Sequence, residues 1–452
     1  MRFLKAGLLA LALPLAITAA DAPLSLDDAI ALAVQRSKGA QLARLKVDDA
    51  GFAAAGARQQ RYPRITAFGI GGYYFRPVDL KLREGSLTPA LDAVGSELGL
   101  GSLSAQIGPF PAGDLSLVPG SHTQFTGGLM ILQPLSQQWR ITSGLRAAEA
   151  ERTVAEREAS QTLARIRLSV EELFAGILVE DQRHLALAAW LGYEERRLRD
   201  AENAVTVGEA LDETTLGLRT AVVQARTNLT RSEQQRSRLV LQLGDLIGRS
   251  GEEQLSLSSA LPERSSQPLN HWVSRAAQNP DRQIAAAIVE KTEAGKRAAR
   301  QRYIPEVSAF ATGFAQDGLP LVPSTGGMAG LTLTWDVFDF GRRDSDIARS
   351  RTQRQAAELD RDRREEDAAR EIRITYQDFT YAGELTTLAE QTVAYRHRAA
   401  ELARQSAVNE LGLESKALGA EAELRSSETD FFAARIQRHI ALLRLYFLAG
   451  EL

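Results

Sequence analysis

The sequence predicts a mainly α-helical protein with a small antiparallel β part, built as two tandem repeats of a strand hairpin followed by a long coiled-coil helical hairpin. Three observations carry this. Long stretches rich in Ala, Leu, Glu, Arg and Gln hold almost no proline, the composition of very long helices. The two halves align when one is shifted by about 200 to 240 residues. Four short segments show the period-two or Gly- and aromatic-rich pattern of strands.

Taken in order, Arg2 and Lys5 precede an apolar run, Leu8 to Ile17, that ends in Thr18-Ala19-Ala20. This predicts a signal peptide over residues 1–20. The chain has no cysteine, which excludes a lipid anchor on an N-terminal cysteine, a disulfide framework and any thiolate site. The first repeat is read over 21–250, with strands near 64–75 and 124–133 and a helical hairpin near 138–249. A linker rich in Ser and Pro follows over 251–268. The second repeat, 269–452, has strands near 306–315 and 329–338 and a helical hairpin near 342–449. The repeat is visible directly: Arg61-Tyr62-Pro63-Arg64-Ile65-Thr66-Ala67-Phe68 answers Tyr303-Ile304-Pro305-Glu306-Val307-Ser308-Ala309-Phe310, and Leu129 and Ile131 answer Leu331 and Leu333.

No apolar run after the signal reaches the roughly 18 residues of a membrane helix, so a membrane crossing would have to use strands. Each predicted strand is about ten residues, enough for one tilted crossing. Tyr73, Tyr74, Trp335, Phe338 and Phe340 fall near strand ends, where a membrane barrel keeps its aromatic girdle. The alternative is a small soluble sheet with these aromatics in its core. Four strands cannot close a barrel, and an open edge in lipid leaves backbone groups unpaired, so the membrane reading requires an oligomer. Two copies would give eight strands with a filled interior; three would give twelve and a lumen.

From about Gln138 to Val205 no proline interrupts, and at 1.5 Å per residue such a helix is on the order of 100 Å long. Leu163, Ile166, Val170, Leu173 and Ile177 form a heptad seam, repeated by Ile436, Ile440, Leu443 and Phe447. Shorter helices over Leu26 to Gln60 and Leu269 to Arg302 precede the strands of each repeat.

Tyr62-Pro63 and Ile304-Pro305 before the strands, the Asn279-Pro280 break, the passage Leu331-Thr332-Leu333-Thr334-Trp335-Asp336-Val337-Phe338-Asp339-Phe340-Gly341, and the turn Val207-Gly208-Glu209-Ala210-Leu211 followed by Leu216 come in an ordered set. In this set the chain resembles the TolC-like outer-membrane efflux family (outer membrane factors), over essentially the whole mature sequence. The resemblance implies a homotrimer whose four strands per chain form a twelve-stranded outer-membrane β-barrel, continued by an α-helical barrel into the periplasm. It further implies a passive exit duct of a tripartite efflux or type I secretion system, working with a periplasmic adaptor (membrane fusion) protein, an inner-membrane transporter and outer-membrane lipid. The adaptor-contacting hairpin tips then fall at Val207, Gly208 and Glu209, and at Val408, Asn409 and Glu410. Relatives often carry aspartates just beyond the second tip. Here Lys416 and Gly419 stand at those positions, leaving Glu410 and Glu414, with Lys416, as the possible periplasmic gate. Solvated helix-end charges are the plainer reading of those residues.

The region from Arg76 to His122 is a long loop between the first two strands, against about a dozen residues, Gln316 to Gly327, in the second pair. Nothing points to an enzyme. The five histidines are scattered with no metal-ligand spacing, no phosphate loop or nucleophile motif occurs, and no cofactor is implied. The pair Glu171-Glu172 reads as a charged, solvated helix face. Arginines alternate with acids, which excludes a nucleic-acid footprint. The rival from another class is a soluble periplasmic coiled-coil scaffold. Cargo is left open by the sequence.

Overall fold

The structure, a computed structural model, describes residues 23–76, 80–118, 121–209, 211–249, 255–319, 322–409 and 414–452. The signal peptide read over 1–20 lies outside them. Helices α1 (Leu26–Arg36) and α2 (Lys38–Gln59) lead into strand β1 (Arg64–Tyr73). Then come β2 (Leu80–Leu82), α3 (Thr88–Glu97), α4 (Ser104–Ile107), β3 (Leu115–Val118) and β4 (Thr123–Pro134). The long α5 (Gln138–Thr206) and the returning α6 (Asp212–Ile247) complete the first repeat. The second has α7 (Leu269–Ser274), α8 (Pro280–Arg300), β5 (Glu306–Asp317), β6 (Thr325–Thr334), α9 (Arg342–Val408) and α10 (Glu414–Leu448). The predicted fold class, mainly helical with a small antiparallel sheet, is borne out.

The chain divides into two compact units. The strand-bearing unit comprises Gly51–Ala150 and Glu290–Gln355. Its sheet has the order β1-β4-β5-β6, every pair antiparallel, so the outer edges of β1 and β6 have no partner strand among the described residues. The alternation over 329–338 predicts a strand reaching Phe338, but β6 stops at Thr334. Glu306 is the last partner on β5, opposite Thr334. Residues 335–341 instead turn the chain toward α9, through Phe340 and Gly341 at φ 53° and 83°. For a bulky residue such as Phe340 a positive φ is strained. Asp339 holds the turn by accepting from the amides of Gly341 and Arg343 and from Arg343 Nε at 2.7 Å. Burial opposes ionisation of Asp339, yet the Arg343 hydrogen bonds and charge hold its carboxyl below the usual range.

The helical unit comprises residues up to Ala50, Glu151–Val289 and Ala356–Leu452. It contains two separate apolar cores. One joins α1, α5 and α6 through Ala29, Ala33, Val170, Phe174, Ile177, Leu243 and Ile247. The other joins α7, α9 and α10 around the fully buried Trp272, with Ile372, Phe379 and Leu445. Ile166 and Ile372, aligned by the repeat, sit in the first and second core respectively. The heptad seam is used: Ile166, Val170 and Ile177 are buried, and Leu163 and Leu173 pack against the same core. At the head of α8, Asn279 explains the Asn-Pro break: its Oδ1 accepts from the Asp281 amide and its Nδ2 donates to Leu448 O. No helix among the described residues is long and apolar enough to cross a membrane.

One reading needs correction. Glu171 is not on a solvated face: it is 1% exposed, and only Glu172 beside it reaches the surface, where it pairs with Arg444. Consecutive helical residues point about 100° apart, so the two acids diverge. Glu171 accepts from Arg264 of the linker at 2.9 Å and contacts His439 of α10 at 2.5 Å. One carboxylate therefore ties the first repeat, the linker and the second repeat together within this unit. Removing one partner of a buried ionic network strands the others. Glu171→Ala is expected to lower unfolding free energy by about 3 kcal/mol, and Glu172→Ala by about 0.5 kcal/mol, measured by chemical denaturation followed by circular dichroism.

Candidate functional site

The four-stranded sheet has two chemically distinct faces. The pairing register puts Ile65, Ile131, Ala311 and Ala329 in one row, and Ala67, Leu129, Gly313 and Gly327 in the next. On this face most side chains from Ile65 through Leu333 are aliphatic or absent, with the exposed ring of Phe125 among them and polar groups toward the ends at Tyr73, Thr123, Gln133, Asp317 and Thr325. Ile65, Leu129, Leu331 and Leu333 are more than half exposed on it. The opposite face carries Thr66, Met130, Thr312 and Met328 in one row, with Ser308, Thr332, Thr334, Gln124 and Gln316 above and below. Its phenylalanines lie over strand glycines, so that a Cβ at Gly326 would meet the Phe314 ring at 2.7 Å. The sheet is thus apolar on one side and mixed on the other, the alternation a membrane barrel requires.

Exposed aromatics mark both ends of this sheet. Tyr73 and Tyr74 stand at the far end of β1, with Phe75 beside them 91% exposed. Trp335, Phe338 and Phe340 stand beyond the end of β6, all exposed, the two phenylalanine rings 4.7 Å apart. Because β1 runs away from the helices and β6 toward them, the two groups bracket the apolar face, separated by about ten residues of strand, on the order of 30 Å. Phe75 was not singled out by the sequence reading, although it follows Tyr73-Tyr74 directly.

At the helix end, the mixed face continues into a cavity of about 950 Å³ between the strand starts and the adjoining helix ends of the same unit. Arg64, Leu132, Pro134 and Ser308 of that face line it, together with Arg140, Arg302 and Arg349.

The hairpin tips belong to the helical unit. At the first, Gly208 has φ 78°, its amide bonds Val205 O, and Glu209 N bonds Ala204 O at 2.8 Å, a Schellman turn that glycine makes without strain. Val207 is 70% exposed. At the second, Val408 is equally bare and the Asn409 amide bonds Gln405 O. Glu410, read both as tip and as gate, lies outside the described residues. Glu414 is ion-paired with Arg196 of α5 at 2.9 Å, while Lys416 is exposed. Arg196 was not foreseen, because it lies more than two hundred residues away in sequence and only the folding of α5 against α10 brings it there.

Among the described residues no group of three His, Cys, Asp or Glu could hold a metal ion.

Comparison with known proteins follows the same lines. Residues 273–451 match the family described as outer membrane efflux protein. The resemblance to TolC-like efflux proteins is borne out. The fold extends beyond the matched segment. The outer membrane protein VceC of Vibrio cholerae superposes with a TM-score of 0.70 at 16% identity, over 94% of this chain and 96% of its own. The outer membrane channel CmeC of Campylobacter jejuni gives 0.73 at 13% identity, over 94% and 85%. The open state of the outer membrane channel MtrE of Neisseria gonorrhoeae gives 0.64 at 15%, over 94% and 88%. No curated protein matches the sequence.

Within this fold, Gly419 has a local explanation. The Tyr193 ring of α5, itself packed on Trp190 and under Arg197, occupies the space a side chain would need, 2.8 Å from where a Cβ would lie. A carboxylate at 419 is excluded by that ring. Gly419→Asp is expected to destabilise the hairpin by about 2 kcal/mol, seen as faster proteolysis at the tip, and Tyr193→Ala in the same chain is expected to restore much of the resistance.

The insertion between β1 and β4 is also folded. Strands β2 and β3 pair, and Asp92 of α3 accepts from Ser104 N, Ser104 Oγ and Ser102 Oγ at 2.8, 2.6 and 2.9 Å. The Ser104 hydroxyl, then its amide, hold the Asp92 carboxyl below its ordinary value against a small opposing effect of burial. A carboxyl whose pKa falls on folding stabilises above its unfolded value and loses that contribution as acid protonates it. Cleavage of the 98–104 segment by an acid protease is therefore expected to accelerate as pH falls from about 5 to about 2, and Asp92→Asn to flatten that dependence.

Proposed function

We propose that the chain is one third of an outer-membrane exit duct, a homotrimer whose twelve strands span the membrane and whose helices continue as a periplasmic tube. The observation that supports this most is the sheet itself: one exposed apolar face bracketed by aromatics, one mixed face, and two unpartnered edges. In hydrocarbon an unpaired edge is costly at every backbone group, so β6 of one copy needs β1 of another. Three copies leave a lumen where two would fill it. The apolar face then meets lipid, the mixed face and the arginine-lined cavity meet the passage, and the hairpin tips read at Val207, Gly208, Glu209, Val408, Asn409 and Glu410 meet a periplasmic adaptor. Glu410, Glu414 and Lys416 would sit at the entrance, Glu414 already held by Arg196. The energy for transport comes from an inner-membrane transporter, whether a drug pump, a metal pump or a type I secretion system, and the chain acts as a passive conduit and not as an enzyme.

The internal repeat specifies how copies join. Within the chain, Leu129 of β4 lies opposite Gly313 of β5. Carrying each to its counterpart in the other repeat sets Leu331 of one copy opposite Gly71 of the next. Because the chain has no cysteine, paired cysteines report this contact without background. Leu331→Cys with Gly71→Cys is expected to give disulfide-linked trimers on oxidation of the detergent-extracted protein, and Leu331→Cys with Ala67→Cys, displaced by four residues, is expected not to. A monodisperse trimer requiring detergent, measured by light scattering after chromatography, supports the duct; a water-soluble monomer or dimer overturns it in favour of a periplasmic scaffold. Deletion of residues 80–118 is expected to leave the trimer intact and change its conductance.

A further inference from the structure

We infer that the neck of the duct, where strands meet helices, is a cationic collar that selects anionic organic cargo; this rests on the duct reading above. The cavity of about 950 Å³ is lined by four arginines, Arg64, Arg140, Arg302 and Arg349, and by a single acid, Asp346. Two of the arginines are neutralised: Arg140 pairs with Glu306, and Arg302 with Asp346 at 2.5 Å. Arg64 and Arg349 make no ion pair among the described residues, and both are exposed. Helix ends of both polarities border the cavity, the starts of α5 and α9 and the ends of α2 and α8, so their dipoles offset and the side chains set the sign.

The surplus is a departure between the two repeats. The residue after the strand-entry proline is Glu306 in the second repeat, where it neutralises Arg140, and Arg64 in the first, where it adds charge. Two uncompensated guanidinium groups per chain become six around the neck of a trimer. Guanidinium is always charged and offers paired donors that match carboxylate, sulfonate and phosphate. The same wall carries Leu132, Ile141 and Ala298, so an anion with an apolar body fits it better than a bare inorganic ion. The volume suits a molecule of drug size.

The test is the reversal potential of the full trimer in a planar bilayer under a potassium chloride gradient, repeated with potassium benzoate and with benzylammonium chloride. The wild-type channel is expected to prefer chloride over potassium and benzoate over benzylammonium. Arg64→Gln with Arg349→Gln is expected to lower the anion-to-cation permeability ratio by roughly threefold or more, while Arg64→Lys with Arg349→Lys retains the wild-type sign. Open channels that prefer cations, or a ratio unmoved by the glutamine pair, overturn the collar and leave the duct standing. A trimer that conducts no ions in any of these salts overturns the duct, and the collar with it.

Discussion

The constraint on which the rest depends is the pairing of backbone groups at the two open edges of a four-stranded sheet. In water such edges are tolerated; beside an apolar face as bare as that of Ile65, Leu129, Leu331 and Leu333 they are not. In the proposed duct, closure by copies of the same chain satisfies the amides, covers the edges and leaves the apolar face to lipid. The rest of the architecture serves that closure. The ladder ends at Glu306 opposite Thr334, and Asp339 with the left-handed Phe340-Gly341 pair turns the chain directly into α9.

Charge placement follows from the duplication as much as from the fold. A repeat that aligns residue by residue lets one position be altered in one copy only. Glu306 and Arg64 are such a pair, and so, at the tips, are Gly208 and Asn409. Copying supplies the frame, and in the proposed trimer these departures turn a nearly sixfold arrangement into a threefold one in which alternate positions differ in charge or turn geometry.

Much of this was legible in the sequence because it is written in periodicity. The heptads at Ile166, Val170 and Ile177 and the alternation at Leu331 and Leu333 are local patterns that survive without knowledge of what they pack against. The strand end near Trp335 was not legible, because the alternation of Leu333, Trp335 and Val337 runs on past Thr334, where the pairing with β5 stops. Glu171 was misread for a similar reason. A lone acid beside another looks like a surface pair until His439 and Arg264, far along the chain, are brought to it. Tyr193 filling the space at Gly419 belongs to the same class: the signal is a tyrosine on one helix and a missing side chain on another, with nothing in either segment pointing to the other.

The repeat also carries information about tilt. Phe68 corresponds in sequence to Phe310, yet the ladder runs from Phe68 through Gly128 to Phe314, four residues farther on. From Leu129 the ladder runs through Gly313 to Gly327, four residues short of the corresponding Leu331. Since β5 and β6 are antiparallel, these are displacements in one direction, on the order of 13 Å for each two strands. A sheet with that stagger cannot close with its strands upright; it closes only when they lean strongly from the axis. Strong tilt widens a barrel of given strand number, which favours an open passage over a filled interior. It also shortens the membrane span of each strand, so that strands of ten to twelve residues match a bilayer they would overshoot if upright.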